Sequence, residues 1–357
     1  MDIKPLHTWL TSTKEPLLIS GPCGAESETQ VLSTAEQLSK IPQVALFRSG
    51  IWKPRTRPNA FEGMGETGLK WLQTAKQQYG LRTTVEVANA QHVELALKYG
   101  VDVLWIGART TVNPFSVQEI ADSLKGVDVP VMIKNPIHAD LQLWIGAIER
   151  IHQAGIDKIA AIHRGFHYYG KHKYRNEPIW KIPIELRTHL SQLPIICDPS
   201  HIAGTRELIQ EVAQQALNIG MDGLMIESHT DPDKALSDAK QQLTPDALRK
   251  LVSDLVIRED KPTNEGHKEQ LDEFRKLIDE IDESMMDIIQ KREDLIRLIG
   301  MYKKDHNITV FQLERWQEIL KTRAQWADKR GISRVHSEKL CQLLHEESIR
   351  IQNELFN

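Results

Sequence analysis

The chain has 357 residues, of which 40% are hydrophobic and 26% charged, and its formal net charge is −4 at pH 7. This length can hold one large domain or two, with enough apolar residues for a packed core. The small negative charge and the lack of a long basic run argue against nucleic acid as the main partner. No apolar stretch is long enough for a signal peptide or a membrane span, so we expect a soluble, cytoplasmic protein.

The cysteines give a second constraint on the class of protein. Cys23, Cys197 and Cys341 form no CxxC pair, and any bridging scheme leaves one of them unpaired. A disulfide framework is therefore not expected.

The first two-thirds of the chain alternate short apolar runs with amphipathic stretches. The apolar runs predict eight strands, at residues 17–19, 44–47, 83–87, 101–106, 129–133, 158–162, 194–197 and 223–226. The amphipathic stretches predict helices at residues 29–39, 66–79, 90–99, 141–153 and 206–219, and several of these end at a glycine. Apolar strands that alternate with helices form parallel sheets, and eight such units can close a barrel. We predict an α/β fold, a (β/α)8 TIM barrel over residues 1–257, with a doubly wound open sheet as the alternative.

The character of the sequence changes after Leu255. Residues 258–268 are polar, charged and interrupted by proline and glycine, which is typical of a linker. From Leu271 onward, apolar residues recur at the three-four spacing of a long helix, and two shorter helices are predicted at 312–329 and 337–355. Residues 269–357 are predicted to form a small all-α domain.

Four possible metal ligands lie at or shortly beyond the ends of predicted strands: Cys23, His201, Glu227 and Asp238. Only residues at such ends can converge on the open mouth of a barrel. A thiolate, an imidazole and two carboxylates suit Mn, Fe, Co or Zn, whereas Mg or Ca prefers oxygen ligands throughout. Taken alone, each residue also has an ordinary explanation, because a lone cysteine at a strand end is more often a small buried hydrophobic residue.

Basic residues recur at the ends of the same strands: Arg48, Lys53, Arg55, Arg109, Lys134 and Arg164. A single one of them would be read as a solvated rim charge. Their recurrence beside a possible metal site predicts anionic substrates, because arginine binds phosphate or carboxylate through two hydrogen bonds and lysine supplies a point charge. Phosphorylated small molecules fit this pattern best.

Five motifs in the first 245 residues together resemble one enzyme family: Gly21-Pro22-Cys23, Lys53-Pro54-Arg55-Thr56, Gly107-Ala108-Arg109, Asp198-Pro199-Ser200-His201 and Ala235-Leu236-Ser237-Asp238. The family is 3-deoxy-D-arabino-heptulosonate 7-phosphate (DAHP) synthase in its compact type I beta form. The resemblance implies a barrel that condenses phosphoenolpyruvate with erythrose 4-phosphate, in which a metal acts as a Lewis acid on the aldehyde.

The resemblance also implies a role for each motif residue. The metal set would be Cys23, His201, Glu227 and Asp238. Arg109, Lys134 and Arg164 would hold the phosphate of phosphoenolpyruvate, and Arg48 and Lys134 its carboxylate. Lys53, Arg55, Thr56 and Asp198 would hold the aldose phosphate.

A sister family, 3-deoxy-D-manno-octulosonate 8-phosphate synthase, shares this barrel and takes a five-carbon sugar phosphate. Its motif has Asn where Pro54 stands, and its metal-free members replace the cysteine with Asn. Pro54 therefore favours the four-carbon aldose. One departure from the DAHP synthase pattern is His163, where the family usually has Glu.

Basic residues also lie on the apolar seam of the predicted long helix. Arg292 and Lys303 share a face, about 16 Å apart by the helical rise. Arg275 lies about 26 Å before Arg292, so it would serve another site, most simply on a partner chain. By periodicity alone, a coiled-coil hairpin that tethers or dimerises the protein is the simplest interpretation.

The helical region, however, resembles the all-helical chorismate mutase family, with Arg275, Arg292, Lys303, Arg315, Ser348 and Gln352 at matching positions. The resemblance implies an intertwined homodimer in which Arg275 of one chain completes the pocket of the other. Arg275 and Arg292 would hold the carboxylates of chorismate, while Lys303 and Gln352 would bond its ether oxygen. Gln312 and Trp316 stand where many members have acidic residues.

These expectations combine into a bifunctional enzyme of the shikimate pathway, acting on phosphoenolpyruvate, erythrose 4-phosphate and chorismate. We hypothesise that prephenate or chorismate bound to the helical domain inhibits the barrel. The alternative is an active synthase whose helical domain is a non-catalytic sensor or dimerisation module.

Overall fold

The structure is a computed structural model, and it describes residues 1–10, 15–53, 60–170, 172–259, 261–262 and 264–356. Its internal contacts divide the chain into two compact units, Met1–Asp260 and Lys261–Asn357. None of the described helices is long and apolar enough to cross a membrane.

In the described part of the first unit, eight parallel strands form a closed barrel in sequence order, with β1 paired to both β2 and β8. The strands are β1 Leu18–Gly21, β2 Val44–Arg48, β3 Thr83–Val87, β4 Val103–Ile106, β5 Val131–Lys134, β6 Ile159–His163, β7 Ile195–Cys197 and β8 Gly223–Glu227. The predicted barrel is confirmed and the open-sheet alternative is excluded. Strand ends differ from the predicted ones by no more than a few residues.

Ten helices cover the described barrel: α1 Glu28–Leu38, α2 Glu66–Tyr79, α3 Ala90–Lys98, α4 Ala108–Thr111, α5 Pro114–Ser123, α6 Leu141–Gln153, α7 Lys181–His189, α8 Pro199–Ala203, α9 Arg206–Asn218 and α10 Pro245–Asp254. Short 3-10 turns lie at Leu6–Thr8, Pro232–Lys234 and Ala239–Gln241. Several helices begin at a residue whose side chain caps them. At the start of α6, for example, the side chain of Asp140 accepts a hydrogen bond from the backbone N–H of Leu143.

The strands separate two packed layers because successive side chains point to opposite faces. One set of alternate residues, including Leu46, Met132, Ile196 and Met225, fills the barrel interior. The other set, including Phe47 and Ile133, packs against the helices. This alternation decides which residues reach the mouth of the barrel.

Gly21 ends β1 in a backbone conformation that side chains rarely adopt, with φ of +150°. A Cβ atom here would lie 2.0 Å from the carbonyl oxygen of Arg48 on the neighbouring strand. Glycine is therefore required for β1 and β2 to approach each other just before Cys23.

The second unit consists of three described helices, α11 Glu265–Asp305, α12 Leu313–Lys329 and α13 Arg334–Phe356. The predicted all-helical region is confirmed. The long helix begins at Glu265, inside the stretch predicted as a linker. It begins there because the side chain of Asn264 caps the helix by accepting hydrogen bonds from the backbone N–H groups of Gly266 and His267.

Candidate active sites of the barrel and the helical unit

The alternation within the barrel carries four charged side chains to its mouth. Leu46, Met132, Ile196 and Met225 point into the barrel. The residues two positions further along are Arg48, Lys134, Asp198 and Glu227, and all four are nearly or fully buried. Charged residues reach such burial only when they are paired, and these four form pairs across the mouth.

Three of the four predicted metal ligands form a compact cluster among the described residues. One ligand atom each from Cys23, Glu227 and Asp238 lies within 4.8 Å of the others. The Cys23 Sγ is 3.4 Å from the Oδ2 of Asp238. Gly21 pairs with Glu227 in the sheet, which brings the end of β1 beside the end of β8.

His201, the fourth predicted ligand, lies at the edge of this cluster. Its Nε2 is 3.8 Å from the Oε1 of Glu227, and its Nδ1 is 2.8 Å from the Oδ2 of Asp198. A metal-binding histidine usually donates its other ring nitrogen to a carboxylate, which fixes the orientation of the ring. Asp198 therefore occupies the position of such a supporting carboxylate, and Lys134 in turn contacts it at 2.7 Å.

The buried pair of Arg48 and Glu227 crosses the mouth, with Nη2 and Oε1 3.1 Å apart. The Oε2 of Glu227 accepts a hydrogen bond of 2.7 Å from Gln241, whereas Oε1 is buried without a hydrogen bond among the described residues. This buried oxygen accepts no hydrogen bond from the described part of the chain and lies beside a thiol, an imidazole and a second carboxylate. Such a set of groups is suited to bind a divalent cation.

Charge and burial shift the pKa values of this cluster. Burial and the nearby Glu227 raise the pKa of Cys23 to about 12. Burial alone would raise the pKa of Glu227, but His201 and Arg48 outweigh it and lower the pKa. Asp238 is likewise held well below its usual pKa, with Arg175 opposing the effect of burial. A bound cation would favour the thiolate form of Cys23.

The remaining residues predicted to bind substrate at the barrel mouth differ in burial and in the groups that they contact. Arg164 donates to the Oδ1 of Asn176 at 2.9 Å, and burial lowers its pKa to about 10. Arg109 is exposed at the start of α4. Lys53 contacts Cys23 through both Sγ, at 2.8 Å, and the carbonyl oxygen, at 2.6 Å. Arg55 and Thr56 lie outside the described residues.

Sequence reasoning missed several residues of this site. Trp105 lies under the guanidinium of Arg48 at 5.1 Å and the ammonium of Lys134 at 5.9 Å, and its inward position on β4 could have signalled this. Arg175, which pairs with Asp238 at 3.0 Å, comes from the loop between β6 and α7, where no periodicity marks it.

His163, the departure from the family pattern, is fully buried beside Trp144, Phe166 and Trp180. Burial lowers the pKa of its ring to about 3. A neutral imidazole therefore replaces an acidic residue next to Arg164, and an apolar environment accommodates it.

In the helical unit, three predicted residues are buried on α11 and α13, two helices that pack on each other. Lys303, Ser348 and Gln352 are all buried. Lys303 donates to the carbonyl of Val310 at 2.6 Å, and Gln352 donates to the carbonyl of Ser348 at 3.0 Å. A Cβ at Gly300 would lie 2.7 Å from the Cδ1 of Leu355 and 3.2 Å from the Cγ of Gln352, so a larger residue here would displace these side chains of α13.

Arg292 lines a cavity of about 690 Å³ together with Trp316, Arg323 and His345. The Trp316 and His345 rings are stacked, with centroids 4.1 Å apart. Burial and the nearby Arg323 lower the pKa of Arg292. Two guanidinium groups close together in a cavity favour an anionic ligand.

The other predicted residues of the helical unit lie at its surface. Arg275 is exposed and pairs with Asp272 on its own helix at 3.0 Å, and Arg315 pairs with Glu318. Gln312 is exposed at the start of α12. Within one chain, the structure therefore does not bring Arg275 or Arg315 together with Lys303 and Gln352.

A closed (β/α)8 barrel with a charged mouth and a candidate metal cluster, joined to three helices around a cationic cavity, defines a two-domain enzyme of the TIM-barrel class. The profile of the DAHP synthetase I family matches residues 9–261, and that of chorismate mutase type II matches residues 274–353.

The relatives agree with this class. A phospho-2-dehydro-3-deoxyheptonate aldolase of Thermotoga maritima is 33% identical over 238 residues, which are 67% of this chain and 68% of that protein. A 2-dehydro-3-deoxyphosphooctonate aldolase of Desulfotalea psychrophila is 30% identical over 262 residues, which are 69% of this chain and 91% of that protein. The crystal structure of the Thermotoga DAHP synthase superposes with a TM-score of 0.59 at 31% identity, covering 66% of each chain.

The chain belongs to the DAHP synthetase I family and carries a C-terminal chorismate mutase type II domain. It is therefore a bifunctional enzyme, a DAHP synthase joined to a chorismate mutase.

Proposed function

We propose that the barrel condenses phosphoenolpyruvate with erythrose 4-phosphate and one water molecule, which adds to the carbon that loses the phosphate, to give DAHP and phosphate. The observation that carries this proposal is the cluster of Cys23, Glu227 and Asp238 beside the buried cations Arg48 and Lys134. Such cations, in a site with little water, stabilise anionic groups far better than surface charges do. Phosphoenolpyruvate carries both a carboxylate and a phosphate, so it matches several cations at one mouth.

The assignment of substrate groups to residues follows the resemblance to the DAHP synthase family, and the burial of Arg48 and Lys134 is consistent with it. Arg48 and Lys134, both over Trp105, would hold the carboxylate of phosphoenolpyruvate at the bottom of the mouth. Lys134 with Arg109 and Arg164 would hold its phosphate, and Lys53, Arg55 and Thr56 would hold the aldose phosphate. Asp198, which the resemblance assigned to the aldose phosphate, is instead a buried carboxylate that pairs with Lys134 and His201 and would repel a phosphate. Orienting both reactants in this way replaces a bimolecular encounter with a positioned one.

Cys23, His201, Glu227 and Asp238 would hold a divalent ion, for which Mn, Fe, Co and Zn are the candidates. When bound, such an ion supplies Lewis-acid polarisation of the aldehyde oxygen. Asp198 accepts a hydrogen bond from the Nδ1 of His201, which leaves the Nε2 of this histidine free to bind the ion. The buried cations stabilise negative charge as the carbon–carbon bond forms and phosphate departs.

The alternative for the barrel is an octulosonate 8-phosphate synthase, because the Desulfotalea 2-dehydro-3-deoxyphosphooctonate aldolase is 30% identical to this chain, against 33% for the Thermotoga heptonate aldolase. Pro54, the residue that favours the four-carbon aldose, lies outside the described residues. Purified enzyme offered erythrose 4-phosphate and arabinose 5-phosphate in separate assays decides between the two. We expect turnover with erythrose 4-phosphate at least about 100-fold faster, because the five-carbon sugar phosphate has one more CHOH group and cannot place both its aldehyde and its phosphate in sites spaced for the four-carbon aldose. Equal or faster turnover of arabinose 5-phosphate would reject the DAHP assignment.

For the helical unit we propose rearrangement of chorismate to prephenate in a pocket shared by two chains. Arg292 of one chain and Arg275 of its partner would hold the two carboxylates, and Lys303 and Gln352 would bond the ether oxygen. No acid, base or nucleophile is needed, so catalysis rests on holding a compact conformer and stabilising charge. Arg315 and Ser348 would complete the contacts to the substrate.

The support for a homodimer is the unpartnered apolar face of α11. Ile281, Met285, Ile288, Leu295 and Ile299 each expose between 44% and 63% of their surface. A continuous apolar stripe of this kind marks an interaction site, and the exposed Arg275 would be placed in the partner's pocket. Ile288→Asp should shift the sedimentation profile from dimer toward monomer, with Lys291→Asp as a surface control. A dimer that is unaffected by Ile288→Asp would contradict the proposed interface.

The alternative for the helical unit is a sensor or dimerisation module without turnover. Arg292→Ala separates the two, with chorismate loss as the measurement and Arg297→Ala, on the same helix, as the control. We expect wild-type enzyme and Arg297→Ala to consume chorismate and Arg292→Ala to lose most of this activity. Wild-type protein that binds chorismate without consuming it would establish the sensor.

We also propose that prephenate or chorismate bound in the helical pocket inhibits the barrel. The support is the joining of an early synthase to a later mutase in one chain. Synthase activity of the full-length enzyme is assayed with added prephenate, and the expected inhibition should weaken at least 10-fold in Arg292→Ala. Equal inhibition of the variant would place the effector elsewhere. The cytoplasmic location expected from the sequence stays a prediction.

A further inference from the structure

Two adjacent glutamines, Gln241 and Gln242, lie against the metal cluster and are almost completely buried, with 1% and 0% of their surfaces exposed. They end the short turn after Asp238 and run beside the end of β8, where the amide of Leu243 donates to the carbonyl of Glu227 at 3.0 Å. A buried primary amide must have its hydrogen bonds satisfied, so the partners of each glutamine define its role.

Gln241 connects the two carboxylates of the cluster through one arginine. Its Nε2 donates to the Oε2 of Glu227 at 2.7 Å, and its Oε1 accepts from the Nη1 of Arg175, also at 2.7 Å. The same Nη1 lies 3.0 Å from the Oδ1 of Asp238. The orientation of the amide is dictated by charge, because the flipped amide would place an oxygen against a carboxylate and an NH2 against a guanidinium.

This chain of hydrogen bonds engages the Oε2 of Glu227 and the Oδ1 of Asp238, so the other oxygen of each carboxylate faces the cluster. The Oε1 of Glu227 lies 3.1 Å from the Nη2 of Arg48 and 3.8 Å from the Nε2 of His201, and it accepts no hydrogen bond among the described residues. The Oδ2 of Asp238 faces the Cys23 Sγ at 3.4 Å. Gln242 supports the cluster on the side of Cys23. Its Oε1 accepts a hydrogen bond of 2.9 Å from the backbone N–H of Cys23, and its Nε2 donates one of 2.8 Å to the carbonyl oxygen of Ser237.

We propose that Gln241 is a positioning residue of the metal centre, which, with Arg175, restricts Glu227 and Asp238 to binding the ion through one oxygen each. The proposal rests on the metal site of the proposed function. With single oxygens from both carboxylates, the protein supplies four ligand atoms in total. Catalytic metal sites keep a coordination position open for substrate, and a second oxygen from either carboxylate would fill that position.

The test uses Co²⁺ as a probe in the full-length enzyme, because its visible absorption reports coordination number and thiolate ligation. Gln241→Glu keeps the shape of the side chain and a partner for Arg175 but removes the donor to Glu227. Gln241→Leu removes both interactions. Gln118→Leu, an exposed glutamine on α5, is the matched control. Both Gln241 variants should bind Co²⁺ about 10- to 100-fold more weakly than the wild-type enzyme. Their visible absorption bands should also be weaker, because a second oxygen from Glu227 raises the coordination number of the ion.

A Gln241→Glu variant with the wild-type unfolding curve, Co²⁺ affinity and spectrum would overturn the proposal. If Gln241→Leu fails to fold, Gln241→Glu alone decides the result. Failure of the metal assignment looks different, because wild-type enzyme would then show no thiolate-to-cobalt absorption at all, and that outcome rejects both proposals. A role for Gln241 in stability alone would lower the unfolding midpoint without changing the spectrum of the bound ion, which also counts against the proposal.

Discussion

The mouth of the barrel and the site of the helical unit differ in how many of their predicted residues are buried and paired with one another. At the barrel mouth, Arg48, Lys134, Asp198 and Glu227 are buried and paired within one chain. In the helical unit, Lys303 and Gln352 are buried, but Arg275 is exposed on α11, a helix that also exposes apolar side chains such as Ile281 and Ile288. Strands of a closed barrel fix side chains from remote parts of the sequence, whereas the three helices leave apolar side chains exposed, which the proposed homodimer would cover.

The largest expected effect in this comparison concerns Cys23. Cys23→Ala should lower DAHP synthase activity by more than about 100-fold, since losing only an outer-sphere partner of a metal costs about 10- to 100-fold. Mutase activity in the same sample should remain. Cys197→Ala, the same change at another fully buried cysteine, is the control. Full synthase activity of wild-type enzyme in the presence of a strong chelator would contradict the assignment.

The buried pair at the barrel mouth gives the next prediction. Arg48→Met should lower the free energy of unfolding of the metal-free enzyme by about 3–5 kcal/mol, because Glu227 is left charged and buried. Urea unfolding in the presence of a chelator measures this. Lys40→Ala, which breaks an exposed pair with Glu36, should cost less than about 1 kcal/mol. Similar losses for the two variants would show that the mouth is not held by its buried charges.

Lys303 tests whether the helical site is catalytic. Lys303→Ala should lower chorismate turnover by about 10²- to 10³-fold, as expected when a donor to a developing negative charge is removed, while synthase activity is unchanged. Lys321→Ala, an exposed lysine on α12, is the control. Unchanged turnover in Lys303→Ala would remove this residue from the catalytic set.

The smallest expected effect concerns the packing of α11 on α13. Gly300→Val should destabilise the helical unit by about 1–3 kcal/mol, because its Cβ alone would lie 2.7 Å from the Cδ1 of Leu355. Gly146→Val on α6 is the control, since a Cβ there meets Arg150 at 3.5 Å. Thermal melting followed by circular dichroism measures both. Equal stability of the two variants would show that the close approach of these helices is dispensable.

Much of the barrel could be predicted from the sequence because its strands are short, apolar and regularly spaced. The inward positions at the mouth follow from the same pattern, since Arg48 and Glu227 lie two residues beyond the interior residues Leu46 and Met225. Gln241 and Arg175 could not be predicted in this way. They come from irregular loops, and their importance arises from hydrogen bonds to residues that only the fold brings near.

The sequence by itself determined the alternation of strands and helices, the change to an all-helical region and the residue types available for chemistry, because periodicity and composition are local properties. Only the tertiary structure decided that Arg48 pairs with Glu227, that Arg175 reaches Asp238, and that Gly300 of α11 packs against α13. These are matters of distance between segments remote in sequence, and closure of the barrel and the packing of the helices set those distances.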